Sequence, residues 1–466
     1  MGKSKDGLKS GRKGGRSGVS VLVMGVGSFA HSTARILREN GANVLTYLTR
    51  DYGHFGAQSE GRTYFWREHP NPIPFLRRHK VDLVLPMSID WSDRDWAKDL
   101  VDSGMPFLCP TGAALNLEKE RDLARELCEI AEIAFPKSHW AKNRREAERI
   151  LDRDRSRRGY VIKNPICGPF SPIHTIVCET ADETRAWLPR LDYKDGVFLQ
   201  EYLGRAEGGH IAFVSAGEVH SLVTNQEYKR AFDGNMGVAA GAPLGGIVEQ
   251  DPHDRYGLAR ELIRPLLPWF RRTNFHGPVQ VTAVKKDGRW HVIEYNVRIG
   301  VTSGAMILRM LKDPIDILIK VARNEPLGKL AFKERLRFGC SVTLAGFGYP
   351  YTQVTGPEFP LRVEGKFNCD VWWNEVKQAG GARLPPSRSL PPSRTEPIGT
   401  RIELGGSLVP PDNLVATGHR IADVVAIESE LESAIRKAYQ NIGKIRCLAS
   451  YYRTDIGASM WPPGKV

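Results

Sequence analysis

Apolar residues dominate "VSVLVMGV" (19–26), broken only by Ser20 and Gly25, and then recur at helical spacing through "SFAHSTARILREN" (28–40). This pattern predicts a buried strand, a glycine turn and a helix. "ANVLTYL" (42–48) and "VDLVLPMS" (81–88) are two further buried strands, separated by the helical "IPFLRRHK" (73–80). Such alternation predicts a parallel, doubly wound sheet. "PTGAALNLEKERDLARELCEIA" (110–131) reads as one helix opening at Thr111. Two β-segments joined by a Gly/Pro-rich loop follow in 158–179, then alternating strands with a hairpin turn in 196–223. Residues 254–273 are helical in pattern, with Pro265 and Pro268 expected to bend or split the helix. Residues 279–296 form a hairpin turning at Asp287-Gly288. Past about residue 340 the chain is rich in strands and turns. It closes with a helix whose Leu431, Ala434, Ile435, Ala438 and Ile442 trace a core stripe.

Length adds that two to four domains share the 466 residues, and the 41% hydrophobic content is enough for real cores. No apolar run approaches the ~18 residues that span a bilayer, and no membrane partner is expected. The seven cysteines are scattered without a C-x-x-C pair, which points to a reducing compartment and away from disulfide or zinc frameworks. With no apolar leader before the first strand, the chain reads as cytoplasmic. The formal charge of +13 suggests nucleic acid until it is located. The first eighteen residues hold six basic side chains against Asp6, leaving +8 to the rest. That Gly/Ser-rich tail is expected to be disordered and solubilising, and the moderately basic body suits phosphorylated substrates. A short duplication in 383–397, "LPPSR-SLPPSR", reads as an exposed polyproline loop.

Chemistry enters at "VIEYNVRIG" (292–300). Val292, Glu294, Asn296 and Arg298 share a parity, so an extended chain points all four the same way. A face of this kind is either simply wet or a metal–phosphate site. Mg²⁺ takes oxygen ligands, two side-chain oxygens at i and i+2 reach one ion, and a following Arg suits an anion. Three more elements precede it in order: Lys163 ending the β-segment "YVIK", a strand exit "LQEYLGRAE" with Gln200, Glu201 and Glu207, and the cluster "NQEYKR" (225–230). Each alone is an ordinary surface feature. Together they supply a lysine for α/β-phosphates, backbone for adenine, a carboxylate for ribose and a metal pair for phosphoryl transfer. The rival reading rests on "GVGSFA" (25–30), which nearly satisfies G-x-G-x-x-G/A after a strand. However, the second strand ends "LTRD" without a clean ribose acid, and a helix N-terminus near any anion would look the same.

These blocks, with "LCPTGAALNLEKERDLARELC", "MILRML", "TGHRIADVVA" and "RTDIG", resemble the ATP-grasp ligases and, among them, the glycinamide ribonucleotide synthetase family, from residue 19 to 457. The resemblance implies a mixed α/β chain. After the tail (1–18) come a Rossmann-like N-terminal domain (19–115), an α+β ATP-grasp domain (116–340) with a mobile lid at about 125–200, and a β-rich C-terminal domain (341–466). It implies ATP and Mg²⁺ or Mn²⁺, small amine and carboxylate substrates, and a monomer or homodimer with no nucleic acid. Position by position, it makes Glu294 and Asn296 metal ligands. Arg121, Lys163, Gln200, Glu201, Leu203 and Glu207 become ATP contacts. Lys163, Lys229, Arg230 and Arg298 become catalytic, and Gly27, His31, Glu227 and Asp233 line the substrate side.

There are departures. "CGPFSPIHT" (167–175) replaces the family's A-A-G-K-G-V lid loop, and prolines 169 and 172 lack an N–H for phosphate. Ala239 stands for an Asn, Val301 and Ser303 for two acids, and "SFAH" for G-R-E-H. The losses fall on the substrate side rather than the metal. The readings are therefore a ligase for the family's or altered substrates, a dinucleotide oxidoreductase, or a non-catalytic relative using its tail.

Overall fold

Strand β1 (Ser20–Gly25) is buried along its whole length, so both of its faces must be covered. It pairs in parallel with β2 (Asn43–Leu48) and β4 (Leu83–Pro86), and β3 (Arg62–Phe65) completes the order β3-β2-β1-β4. Helix α1 (Gly27–Glu39) follows β1 directly and buries its first turns. The parallel sheet expected from the alternation is therefore present. The structure is a computed structural model describing residues 18–168, 175–351, 358–379, 413–458 and 462–463. The basic tail, prolines 169 and 172 and the duplicated Pro-rich segment lie outside the described residues.

The single helix expected from Thr111 is not formed. A 3-10 turn (Gly112–Leu115) and a short helix (Asn116–Lys119) stop at Glu120, whose backbone is extended, before α2 (Arg121–Ile130). The break comes from long-range pairing. Cys167 N–H donates to Lys119 O (2.8 Å) and Arg121 N–H to Pro165 O (3.2 Å), so a distant loop takes helix hydrogen bonds. Apolar periodicity cannot register such a bond.

A four-stranded antiparallel sheet comes next: β5 (Ser138–Ala141), β6 (Tyr160–Lys163), β7 (Ile176–Val177) and β8 (Val197–Glu201), ordered β5-β8-β6-β7. Its own small core holds Leu151, Tyr160, Ile162 and Leu199. The helix Ala181–Trp187 beside it opens with a capping box between Thr180 and Glu183.

The remaining chain builds around a nine-stranded sheet. Its members are β9 (Glu207–Ser215), β10 (Glu218–Glu227), β13 (Gly245–Gln250), β14 (Gly277–Lys286), β15 (Arg289–Asn296), β16 (Phe338–Gly346), β18 (Asp370–Trp373), β21 (Arg420–Glu428) and β23 (Ser450–Tyr451). It runs β15-β14-β9-β10-β13-β16-β21-β18, with β23 on β16, and crosses residue 340 without interruption. The hairpin β11 (Arg230–Phe232) and β12 (Met236–Ala239) projects from it, and β19 (Val376–Gln378), β20 (Leu414–Ala416), β17 (Phe359–Val363) and β22 (Ile445–Cys447) form a separate sheet in that order. The β14–β15 turn has Asp287 and Gly288 both at positive φ, as a two-residue hairpin requires. Residues 254–273 split at Pro265 and Pro268 into Leu258–Leu262, Arg264–Leu266 and Leu267–Arg272. The closing helix Leu431–Ile442 packs its stripe into the core under β16 and β21.

Candidate active site

The parity argument holds for three of its four residues. Thr282 pairs with Glu294 and Ala283 with Val292, so Ile293 is an extra residue, a β-bulge. Below the bulge Trp290 and Val292 face the core with Tyr295 and Val297, while Glu294, Asn296 and Arg298 face a cavity of about 420 Å³. Val292 therefore belongs to the opposite face. Without the bulge, the register that buries Val292 would bury Glu294 as well.

The bulge also leaves Ile293 O without a place in the ladder. Lys163, 2% exposed at the end of β6, donates from Nζ to this oxygen (3.1 Å) and to Gln200 Oε1 on β8 (2.8 Å). Burial pulls the Lys163 ammonium down to about 7, with Arg121 and Lys229 adding to the shift against Glu294. Lys229 Nζ donates to Glu294 Oε1 (2.8 Å), and Arg121 Nη1 lies 3.8 Å from Glu294 Oε2. Burial acts to raise Glu294, but Lys229, Lys163 and Arg121 outweigh it and hold the carboxyl well below its usual range. Lys229 is displaced the other way. Burial lowers it, and Glu294, Glu227 and Glu207 more than reverse that, leaving it above the ordinary lysine range. Arg121 reaches this cluster because α2 starts at the Glu120 break, where Arg121 Nε also donates to Asn164 O (2.8 Å).

Gln200, Glu201, Leu203, Glu207, Glu227, Lys229, Arg230 and Arg298 line the same cavity. Glu201 accepts from Arg158 Nη1 (2.8 Å), Arg230 lies 3.4 Å from Glu179, and Glu227 lies 3.5 Å from Lys229. Burial raises the Glu207 carboxyl, partly opposed by Lys229. Asn296 makes no side-chain hydrogen bond among the described residues, so its amide oxygen is available.

Three expected substrate residues lie elsewhere. Asp233 Oδ1 accepts from Thr454 N–H (2.8 Å) and Oδ2 from the Thr454 hydroxyl, tying the β11–β12 hairpin to the C-terminal chain. Gly27 starts α1, but Asn374 fills the helix end: its Oδ1 accepts from Ser28 N–H (2.8 Å) and would lie 2.4 Å from a Gly27 Cβ. The glycine is needed for an asparagine's approach, and an anion finds that N–H taken. His31 is a buried packing residue whose Nδ1 accepts from Trp373 N–H (2.9 Å) and whose Nε2 stands 3.5 Å from Glu60.

The sequence reading missed Glu118, Glu179 and Asn374. Glu118 is buried, accepts from Val297 N–H (2.6 Å) and lies 3.6 Å from Arg298, so it positions the guanidinium. Nothing in "NLEKERD" separates it from its exposed neighbours. A second acidic group, His210 with Asp251 and Asp254, is scaffolding. All four carboxylate oxygens already accept, from Arg255, Ala259 and Arg260 N–H and from the Thr224 hydroxyl.

The donor set fits a hard divalent cation held against phosphates. An ionised carboxylate and a free amide oxygen share one face, ringed by the cations that an anionic ligand would otherwise lack. No family profile matches the sequence. The fold is that of the ATP-grasp enzymes, with the small sheet carrying Lys163 set against the large sheet carrying Glu294. A biotin carboxylase from Campylobacter jejuni, solved as a β,γ-ATP complex, aligns with TM-score 0.62 and 12% identity over 93% of this chain and 92% of that one. More particularly, the chain is similar to phosphoribosylamine–glycine ligases. The Thermotoga maritima structure aligns with TM-score 0.71 and 18% identity over 94% of this chain and all of that one. The Streptomyces coelicolor enzyme is 26% identical over 365 residues, 77% of this chain and 79% of the relative.

Proposed function

We propose that the protein is an ATP-dependent carboxylate–amine ligase of the phosphoribosylamine–glycine ligase kind, working through an acyl phosphate. The observation that carries this reading is the convergence on one cavity of Lys163 from the small sheet, Glu294 and Asn296 from the large one, Arg121 from α2 and Lys229 from the link between β10 and β11. Glu294 and Asn296 would hold Mg²⁺ or Mn²⁺, which when bound offsets charge on the transferring phosphoryl group. Lys163, already buried and aimed between the sheets, neutralises ATP phosphate oxygens. Arg121 and Lys229 exchange their contact with Glu294 for phosphate. Gln200, Glu201, Leu203 and Glu207, at the exit of β8, receive adenine and ribose. Arg298, braced by Glu118, holds the substrate carboxylate in line with the γ-phosphorus. The carboxylate displaces ADP, and an amine nitrogen then displaces phosphate from the acyl carbon. The chain's own tasks are positioning and exclusion of water from the acyl phosphate.

An oxidoreductase reading finds no support at the glycine turn, because Asn374 occupies the helix end a dinucleotide pyrophosphate would need. The direct test supplies ATP, Mg²⁺, glycine and phosphoribosylamine and reads product mass, followed by other acid–amine pairs. ADP release that requires both an acid and an amine supports the proposal. ATP turnover indifferent to every acid and amine would remove it.

A further inference from the structure

The +8 that remains without the basic tail is unevenly spread. Residues 137–158 carry nine basic side chains against four acidic ones, a net +5 and so more than half of it. Their centre is helix α3 (Arg144–Arg153), which buries Ala147 and Leu151 in the small sheet's core with Tyr160 and Ile162. Val161 and Lys163, which alternate with that pair along β6, line the cavity. Helix α3 therefore covers the face of the small sheet opposite the candidate active site. Arg145 and Arg149 each precede a buried residue by two places, which turns them away from the core, and Arg153 continues the row at i+4 spacing. All three are exposed, as are Arg155 and Arg157 just beyond.

The four acids do not neutralise this row. Glu148 lies 2.7 Å from Arg144 and Asp152 2.9 Å from Arg185. Glu146 accepts from Lys142 N–H (2.8 Å), and Asp154 from the Tyr160 hydroxyl (2.5 Å) and Ser156 N–H (2.9 Å). Among the described residues, no ion pair reaches Arg145, Arg149, Arg153, Arg155 or Arg157. Like charges at i+4 work against a helix, and these add nothing to its packing. They stand about 6 Å apart along the axis, a row suited to a chain of repeating negative charges. Exposed indoles stand on both elements packed beside the helix. Trp140, half exposed on β5, has Lys142 Nζ 5.7 Å over its ring. Trp187 ends the helix that Arg185 ties to α3, and Arg190 lies 5.6 Å over its ring. Exposed rings beside cations are platforms on which unpaired bases stack. An acidic peptide would use the guanidiniums without the rings, and a bilayer needs an apolar face that α3 has already buried. We propose that this outer face of the small sheet binds single-stranded nucleic acid, with Arg145, Arg149 and Arg153 on phosphates and Trp140 stacking a base.

Fluorescence anisotropy of labelled oligoadenylate, as RNA and as DNA, tests this on the full-length protein from about 50 to 200 mM KCl. Micromolar affinity is expected, falling as salt rises. Reversing the row (Arg145→Glu, Arg149→Glu, Arg153→Glu) should weaken binding at least about tenfold. It should also flatten the log–log salt slope by about 2, at ~0.7 per lost phosphate contact on a single strand. The same charge change in the tail (Lys3→Glu, Lys5→Glu, Lys9→Glu) should weaken binding by less than about threefold. Trp140→Ala should cost roughly tenfold with the slope kept, because stacking carries no counterions. Circular dichroism checks the fold of each variant. If the reversal does not fold, Arg145→Gln with Arg149→Gln replaces it and should flatten the slope by about 1.4. Absence of binding to both oligonucleotides overturns the proposal, as does undiminished binding by the row variant or loss of binding on tail reversal alone. Equal competition by duplex, polyglutamate or phosphatidylserine vesicles, or wild-type binding by Trp140→Ala, overturns the single-strand assignment.

Discussion

Glu294 is held between Lys229, Lys163 and Arg121, and each of these cations gains a phosphate partner if ATP enters. The pair Glu294→Ala with Asn296→Ala should abolish Mg²⁺-dependent turnover with the circular dichroism spectrum unchanged. Metal-dependent ADP release at the wild-type rate would refute the assignment. Lys163 adds a pH dependence whose sign follows from its burial. A lysine lowered to about 7 is mostly neutral at pH 8, so recruiting it as a cation requires proton uptake. ATP affinity should therefore fall as pH rises above 7, by up to about tenfold per unit for one proton. Titration calorimetry in buffers of different ionisation enthalpy would detect the proton. Glu60 titrates in the opposite sense. Burial raises it, but His31 and Arg35 hold it down to about 2, with Arg35 Nε donating at 2.7 Å and Arg38 Nη2 at 2.5 Å. Its stabilisation is present above pH 4.5 and is lost as pH falls toward 2. Glu60→Gln should cost roughly 3 kcal/mol at pH 7, and urea melts at decreasing pH should show the gap to wild type closing.

At the scale of elements, the β15 bulge and the break before α2 decide whether the right residues meet. Neither was legible in the sequence. Period-two parity placed Glu294, Asn296 and Arg298 together, because the three lie on one side of the bulge. It misassigned Val292, because an inserted residue shifts parity without leaving a compositional mark. Apolar periodicity ran the helix through Glu120 because the competing hydrogen bonds come from residues 165 and 167. The parallel sheet, the Asp287-Gly288 turn and the proline-split helix were legible because each follows from local rules. Gly27 and His31 misled because what their surroundings do is set by Asn374 and Trp373, more than 340 residues away. Asn374 also donates to Asp423 Oδ2 (3.2 Å), so Asn374→Ala strands the buried Ser28 N–H and removes one donor from a buried carboxylate that Arg420 and Thr343 still hold through Oδ1. A loss of about 1–3 kcal/mol is expected, read as a lower urea midpoint, with no gain of NAD(P) binding.

At the scale of the molecule, the large sheet carries the metal pair at one end and reaches strands near residue 425 at the other, while Asn374 ties it to the first helix. In the ligase reading MgATP lies between this sheet and the small one. Saturation at a hundred times Kd should then stabilise the fold by about 2.7 kcal/mol, whereas NAD(P) should leave the melting curve in place. Among the described residues, side-chain hydrogen bonds from Lys163 and Gln200 to Ile293 O bridge the two sheets across the cavity. Any swing of the small sheet away from the large one must stretch these bonds first. In the ligase reading an arriving triphosphate competes for the same ammonium, so nucleotide entry would loosen the tie between the two sheets.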